Sequence, residues 1–188
     1  STVSQIAFIF MGFATGVQVG IAGALLYILM HGLAKGGLFL CAGIVEQNTH
    51  TKDITKLGGL IRTMPVTAVS FLLCALSVMG IPPFGGFFSK FMVINGAVQS
   101  GNYLIAGLFI IAAFMTILYL FRLFNLIFLG EPGQHMAEEK SPVMVACVAM
   151  LAAAGLVVGI FISAPMEFAK DAAELAEQDF YNQVSMVE

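Results

Sequence analysis

The sequence predicts an all-α membrane protein, a polytopic bundle of about five transmembrane helices of which one is broken. Two observations lead to this fold class. Apolar residues make up 59% of the 188 residues and charged residues only 10%, whereas soluble domains usually carry about 25% charged residues. In addition, no Asp, Glu, Lys or Arg occurs in residues 1–34, 63–89, 91–121 and 141–166. Each of these stretches is longer than the ~20 residues that a transmembrane helix needs.

Two apolar helices are expected at the start of the chain, over about residues 2–16 and 20–45, with the sequence GVQVG as the hinge between them. A charged loop of residues 46–63 follows. Thr63 and Pro65 then favour the start of a third helix, because threonine caps a helix N-terminus and proline is tolerated in the first turn.

The third helix is expected to be broken. Residues 66–99 form an apolar stretch of 34 residues, which as one straight helix would be ~51 Å long, against a hydrocarbon core of ~30 Å. Proline removes a backbone donor and glycine weakens a helix. The residues of this kind that mark the break are Gly80, Pro82, Pro83, Gly85 and Gly86. The stretch is therefore either two short crossing helices or one interrupted span.

The distribution of basic residues favours one interrupted span. Cytoplasmic loops of membrane proteins are enriched in Lys and Arg. If residues 66–99 cross once, the basic loop 46–63 and the loop 130–141 with Lys140 lie on the same side, and the other side keeps only Lys170. Two crossings would place the two loops on opposite sides. The rule therefore predicts that both loops are cytoplasmic.

The rest of the chain is expected to form a helix over residues 103–129, a closing helix over residues 142–163 and an acidic, helix-prone external tail over residues 164–188. The chain begins inside an apolar helix, without the basic flank that usually sets orientation. It is therefore expected to be the end of something longer, and no signal peptide is visible.

Three ionisable residues stand inside the expected spans: His31, Lys35 and Lys90. A lysine at mid-membrane costs roughly 2.5 to 3.5 kcal/mol, so it usually faces protein or water and has a function. His31 and Lys35 are four residues apart and share a helix face with Tyr27. We expect this face to point toward the broken helix.

Plainer interpretations stay open for each of these residues. His31 can make a structural hydrogen bond to a neighbouring helix, and Lys35 can snorkel toward the surface. Lys90 can be an interfacial anchor if residues 66–99 cross twice. Arg122 is close enough to the end of its helix to snorkel. Tyr27, Arg122 and Ser89 are possible auxiliary residues of the proton route. The polar residues Glu46, His50 and His135 are expected in loops, where solvation explains them.

The break gives the lysines a physical role. A discontinuous helix exposes carbonyl groups at mid-depth, and such half-helix ends form ion sites in transporters. Free carbonyls favour a charged lysine and apolar surroundings favour a neutral one. Lys35 and Lys90 are therefore expected to exchange protons, with His31, across hydrated gaps. Carbonyl groups of residues 80–86 are also suitable ligands for Na⁺.

Four segments occur in an order that resembles a known family: SQIAFIFMGFATG, HGLAKGGLFLCAG, KLGGLIRTMP and GIPPFGGFFSKF. They resemble the antiporter-like membrane subunits shared by respiratory complex I, Mrp-type Na⁺/H⁺ antiporters and membrane-bound energy-converting hydrogenases. The resemblance covers about residues 1–130. The KGGLFL and GIPPFGGFFSKF segments are more similar to the Mrp and hydrogenase-like members, and Lys90 points away from the branches that have glutamate at this position.

The resemblance implies a subunit of about fourteen helices with two inverted five-helix repeats. Residues 1–129 would be the second repeat and residues 142–163 the closing helix. His31, Lys35 and Lys90 match the positions that carry protons toward the external side in that family. The first half of such a subunit, with its own half-channel, is missing from this sequence.

The predicted function is therefore translocation of protons, or of Na⁺, as a subunit of a redox-driven or antiporter complex. The resemblance implies further membrane subunits as partners, including other antiporter-like ones, and the cytoplasmic membrane of a prokaryote as the location. A lipid bilayer is expected around the chain, and no nucleic acid. The alternatives are a structural membrane anchor and a stand-alone transporter.

No cofactor, metal or catalytic residue is expected in this chain. The three cysteines, Cys41, Cys74 and Cys147, form no CxxC pair, so neither a zinc site nor a redox dithiol is indicated. The sequence also has no haem motif and no glycine-rich nucleotide loop. Any oxidoreductase chemistry would thus belong to other subunits.

Overall fold

The computed structural model of the chain describes residues 1–133 and 137–185, with side chains as far as Asp179. Residues 134–136, which include His135 and belong to the expected loop 130–141, lie outside the described residues, as do residues 186–188 of the tail. The described residues form seven α-helices and two short 3-10 turns, without any strand. The prediction of an all-α protein is confirmed.

The seven helices are α1 (Thr2–Ala14), α2 (Gln18–Thr49), α3 (Pro65–Met79), α4 (Gly85–Gln99), α5 (Tyr103–Ile127), α6 (Pro142–Ile160) and α7 (Ser163–Ser185). By length and composition, α2, α5 and α6 are long and apolar enough to cross a membrane, and α1 and α3 are apolar but shorter. The expected break in the third helix separates α3 from α4.

Helix α2 extends further than the sequence indicated, to Thr49 instead of residue 45. Asn48 Nδ2 donates to Ile44 O (2.8 Å) and Thr49 Oγ1 donates to Val45 O (2.7 Å), so these polar side chains bond back to carbonyls four residues earlier in α2. His50, with φ of 54°, then ends the helix in the left-handed conformation. Glu46 therefore lies in the last turn of α2 and not in a loop.

The end of the chain differs from the expected boundaries as well. Helix α6 ends at Ile160 and α7 follows after two residues. Ala169 and Ala173 of α7 are 3% and 0% exposed and pack into the same apolar cluster as residues of α2. The acidic tail is thus a helix with an apolar face on the bundle, and its charged side chains lie on the outer face.

Helices α3 and α4 are two parts of one interrupted span. Their contacts with α2 run in reverse order along it: Cys41 with Thr67, Gly37 with Cys74, Met30 with Gly85, and Gly20 with Gly96. Both halves therefore lie end to end, antiparallel to α2. Of the two arrangements that the sequence left open, the described contacts match the single broken span.

The two loops that carry basic residues lie together at one end of the bundle. The first contains the 3-10 turns Ile54–Lys56 and Leu60–Arg62. Backbone hydrogen bonds join it to the end of α5 and beyond, from Gly59 N to Leu129 O (3.1 Å), from Ile61 N to Phe128 O (3.0 Å) and from Gly133 N to Gly58 O (3.2 Å). This placement agrees with the expectation that the loops face the same side.

Each half of the broken helix packs into its own apolar core. Near the loops, Phe71 of α3 packs against Phe124 and Phe128, with ring centroids 6.2 and 5.3 Å away. At the other end, Met92 and Val93 of α4 belong to a second cluster with residues of α1, α2 and α7. The break lies where one core ends and the other begins.

The N-terminus of α3 is capped by an acidic residue that is distant in sequence. Oε1 of Glu139 accepts hydrogen bonds from Thr67 N (2.7 Å) and Thr67 Oγ1 (2.6 Å). Thr67 is the third residue of α3 and is fully buried. A carboxylate at a helix N-terminus satisfies a free N–H and complements the positive end of the helix dipole.

We predict that Glu139→Ala lowers the free energy of unfolding by about 1 kcal/mol, the usual contribution of an N-terminal cap. The measurement is thermal unfolding of the purified full-length protein in detergent. Glu138→Ala is the matched control, since Glu138 is exposed and no hydrogen bond of its side chain is found among the described residues. Equal effects of the two substitutions would contradict the capping role.

Candidate functional site

The break leaves backbone carbonyl groups free at the end of α3. Gly80, with φ of 82°, closes the helix: its N–H lies 3.1 Å from both Leu76 O and Ser77 O. Ile81 N also donates to Leu76 O (3.1 Å). The following carbonyls, those of Val78 and Met79, have no such backbone partner in the part of the chain that the structure describes, and they lie at the negative end of the helix dipole.

Lys90 binds these free carbonyls. The side chain of Lys90 is 4% exposed and extends from α4 back across the break. Its Nζ donates to Val78 O at 2.7 Å and lies 3.5 Å from Met79 O. The ammonium group of one half-helix therefore caps the C-terminus of the other, where a positive charge is stabilised.

Glycine residues allow this close approach. A Cβ atom on Gly86 would lie 1.9 Å from Ser77 O, so any side chain there would separate the start of α4 from the end of α3. A Cβ atom on Gly80 would lie 3.1 Å from Cδ of Lys90. The glycines that predicted the break thus also make room for the lysine that bridges it.

Two aromatic rings surround the ammonium of Lys90. Nζ lies 5.0 Å from the ring centroid of Phe8 and 5.8 Å from that of Tyr27. Phe8 is held in turn by an edge contact with Phe109, with centroids 4.5 Å apart. Both distances to Nζ are within the ~6 Å range of cation–π attraction. The site therefore offers the charged lysine two carbonyl oxygens and two aromatic faces.

Tyr27 connects Lys90 with His31. The rings of Tyr27 and His31 are 5.9 Å apart, at the spacing of four residues along α2. Nε2 of His31 is buried and has no hydrogen-bond partner among the described residues. The structure therefore brings His31, Tyr27 and Lys90 into one cluster, with an imidazole nitrogen that is free to accept or donate.

Lys35 lies one turn further along the same face of α2, on a different cavity. Its Nζ donates to Ser1 Oγ (2.8 Å), which also binds the hydroxyl of Tyr119 (2.7 Å). These residues line a cavity of about 360 Å³ together with Phe71 of α3. Lys35 is half-buried, and no described contact joins it directly to Lys90.

The other auxiliary candidates are Ser89 and Arg122. Ser89 is fully buried and its Oγ donates to Gly85 O (3.0 Å), so its hydroxyl is used within α4. Arg122 is exposed on α5 and lines a separate cavity of about 440 Å³ with other α5 residues such as Phe121 and Asn125. The structure does not bring Arg122 to the cluster around Lys90.

Sequence reasoning missed a buried polar pair beside the site, Gln5 and Thr116. Gln5 is 0% and Thr116 1% exposed. The hydroxyl of Tyr27 donates to Oε1 of Gln5, and Nε2 of Gln5 donates to Thr116 Oγ1 (3.2 Å). A signal was present, because Gln5 is an amide inside an otherwise apolar helix, where polar residues are often functional.

Residues 1–116 match the family described as "NADH:quinone oxidoreductase/Mrp antiporter, TM". The chain belongs to this family. It is therefore an integral membrane protein with antiporter-like helices, as the four sequence segments indicated. The roles of His31, Lys35 and Lys90 in transport stay predictions.

The relatives include antiporter subunits and NADH-quinone oxidoreductase subunits. The chain is 40% identical over 139 residues to a Na⁺/H⁺ antiporter subunit of Alkalihalophilus pseudofirmus, covering 74% of the chain and 28% of the relative. It is 35% identical over 143 residues to a NADH-quinone oxidoreductase subunit of Desulforudis audaxviator, covering 76% of the chain and 28% of the relative.

Among solved structures, the Mrp complex from Dietzia sp. DQ12-45-1b contains a chain with a TM-score of 0.85 and 26% identity. The match covers 91% of this chain and 40% of that one. The chain thus spans less than half the length of the proteins it matches. This chain thus shares its fold, over nearly all of the described helices, with a subunit of a multi-subunit membrane complex.

We predict that Gly80→Ala destabilises the protein more than Gly101→Ala does. Both glycines have positive φ, 82° and 79°, so alanine at either position adds roughly 1 to 2 kcal/mol of backbone strain. Only at Gly80 would the new methyl group also meet Lys90, whereas nothing lies within 4 Å of a Cβ on Gly101. Thermal unfolding in detergent measures the difference, and equal losses would contradict a tight Lys90 bridge.

Proposed function

We propose that this chain is a proton-translocating segment of a larger antiporter-like subunit, namely its second repeat followed by the closing helix. The observation that carries the proposal is the buried ammonium of Lys90 on the free carbonyls of a broken helix. Its neighbour across the Tyr27 ring, His31, has a buried nitrogen without a hydrogen-bond partner in residues 1–133 and 137–185. Two proton-exchanging groups therefore lie in one cluster inside the bundle.

Two opposing effects act on the protonation of Lys90. The carbonyl oxygens of Val78 and Met79 and the aromatic rings stabilise the ammonium form. Burial at 4% exposure stabilises the neutral amine, because a low dielectric disfavours charge. A small displacement of the end of α3 away from Nζ removes the first effect and leaves the second. Movement at the break is therefore a means of releasing the proton.

The proton route that we propose runs along one face of α2. Lys35, on the cavity near Ser1 and Tyr119, is the group of the route nearest the basic loops. His31 follows after one turn, and an imidazole can accept a proton at one nitrogen and release one from the other. His31 and Lys90 flank the Tyr27 ring, so transfer between them runs through water and not by direct contact.

The proposal includes the partners, the ion and the location of the protein. The titratable cluster supports H⁺ as the ion, and one relative is named as a Na⁺/H⁺ antiporter subunit. The relatives are subunits, so we propose that further membrane subunits, including antiporter-like ones, assemble with the parent protein. We place the parent protein in the cytoplasmic membrane of a prokaryote, with the two basic loops in the cytoplasm. Its oxidoreductase or antiporter activity would be shared with the other subunits.

A structural role is the second candidate, and one observation favours it. Lys90 joins the two halves of the broken helix through its hydrogen bonds, which is by itself a stabilising function. The two candidates differ in what they require of Lys90. A structural bridge needs only a permanent positive charge, whereas proton transfer needs a group that gains and loses a proton.

We predict that both Lys90→Met and Lys90→Arg reduce proton transport, by at least about a hundredfold, the scale on which a proton-exchanging group contributes. Methionine removes the exchangeable proton, and arginine keeps the positive charge but does not release its proton in proteins. The measurement is proton uptake into vesicles that contain the assembled parent complex, in the presence and absence of Na⁺.

Lys170→Met is the matched control, because Lys170 is an exposed lysine of α7 outside the cluster. It should transport at the unsubstituted rate. Normal transport by the arginine variant, together with loss of assembly in the methionine variant, would establish the structural role. If the Lys90→Met variant still transports ions, and this transport needs Na⁺, then Na⁺ and not H⁺ is the ion handled here.

The proposed orientation has its own test. In a background without the native cysteines, Lys52→Cys should react with an impermeant thiol reagent only after the cells are opened. Asn102→Cys should react from outside in intact cells. Both positions are exposed, and they lie at opposite ends of the bundle. The reverse labelling pattern would show that the basic loops are external.

A further inference from the structure

Three buried polar side chains connect helices α2, α1 and α5 directly beside the Lys90 cluster. They are Tyr27, Gln5 and Thr116, with 1%, 0% and 1% exposure. The Tyr27 hydroxyl donates to Gln5 Oε1, and Gln5 Nε2 lies 3.2 Å from Thr116 Oγ1 and 3.2 Å from Ser4 Oγ.

The direction of each hydrogen bond in this group is fixed by its last member. Thr116 Oγ1 lies 2.9 Å from the carbonyl of Ala112 and donates its only proton there. It must therefore accept from Nε2 of Gln5, which turns Oε1 of Gln5 toward Tyr27. An amide oxygen can only accept, so the single proton of the Tyr27 hydroxyl points to Gln5. The opposite amide orientation would place Oε1 of Gln5 against Thr116 Oγ1, whose only proton already binds Ala112 O.

This arrangement determines what Tyr27 can do for Lys90. The hydroxyl end of the ring is tied to α1, and the ring centroid is 5.8 Å from Nζ of Lys90. The hydroxyl proton is used by Gln5 and is not available to His31 or Lys90. Tyr27 therefore presents a ring of fixed position to the ammonium, without entering the proton route.

We infer that Gln5 is a positioning residue for the Lys90 site. It anchors the hydroxyl of Tyr27, holds the Tyr27 ring against the ammonium and keeps the tyrosine proton out of the transfer route. This inference rests on the proposed function, which it deepens.

An apolar pair would fill the same space at no loss of stability. Methionine at position 5 and phenylalanine at position 27 have nearly the same volumes as glutamine and tyrosine, and replacing both partners of a buried hydrogen bond by apolar groups is often neutral. Packing alone therefore does not require the polar pair. The polar pair is needed for the orientation of the Tyr27 ring, because a hydrogen bond is directional and dispersion contacts between apolar groups are not.

The test is a double-substitution cycle in the full-length protein within its assembled complex. Tyr27→Phe and Gln5→Met each remove one partner of the hydrogen bond, and each should lower the rate of proton transport threefold to tenfold, roughly the effect of one cation–π contact. The double variant should transport no more slowly than either single one, since both substitutions break the same anchor.

A second readout follows the hydroxyl itself. Tyrosine labelled with ¹³C at Cζ reports the hydrogen bond of each hydroxyl by NMR, and the Tyr27 resonance is the one that Tyr27→Phe removes. It should shift in Gln5→Met, whereas the resonance of Tyr103, which is 69% exposed at the start of α5, should not. Tyr103→Phe is the matched control for transport and should keep the full rate.

Each result decides the inference. Single effects that multiply in the double variant, an unshifted Tyr27 resonance, or full transport in Gln5→Met would overturn it. If Gln5→Met fails to assemble, recovery of assembly in the double variant supports the anchor, and failure of both overturns it. Failure of the proposed function is a different result: Lys90→Met would transport normally while the Tyr27 resonance still responds to Gln5→Met.

Discussion

The hydrogen bonds between the Lys90 ammonium and the last carbonyls of α3 are the interaction on which the site depends. A helix that stops inside an apolar bundle leaves carbonyl groups without partners, and such groups are costly when buried. Lys90 satisfies them from the other half-helix at 2.7 and 3.5 Å. The same bonds give a buried lysine the partners it needs, so the break and the charge stabilise each other.

Helix α2 provides the frame that makes this pairing possible. Its 32 residues lie alongside both halves of the broken helix. Close approaches at glycines such as Gly23, where a Cβ atom would lie 2.7 Å from Met92 Cβ, fix α4 on α2. Because Tyr27 and His31 project from this helix, the register of α4 on α2 also sets which side chains meet Lys90.

The sequence predicted the parts of the site that follow from length and charge. A lysine beside prolines and glycines in an overlong apolar stretch indicated the break, and the His31 and Lys35 spacing indicated a shared face. The Glu139 cap and the pairing of Gln5 with Tyr27 and Thr116 could not be predicted, because each depends on which atoms of distant segments come together. Thr67 and Glu139, for example, are 72 residues apart. The extension of α2 to Thr49 is different, since it follows from local hydrogen bonds to residues four positions earlier.

Helix α3 has a carboxylate at one end and an ammonium at the other, Glu139 and Lys90. Its 15 residues form a stiff rod of ~22 Å between the basic loops and the interior of the bundle. A pull on the loop that carries Glu139 would move the rod along its axis, and with it the carbonyls that hold the Lys90 ammonium. A rigid-body movement of α3 can thus transmit a displacement at the surface to a charge inside the bundle, while α3 itself stays helical.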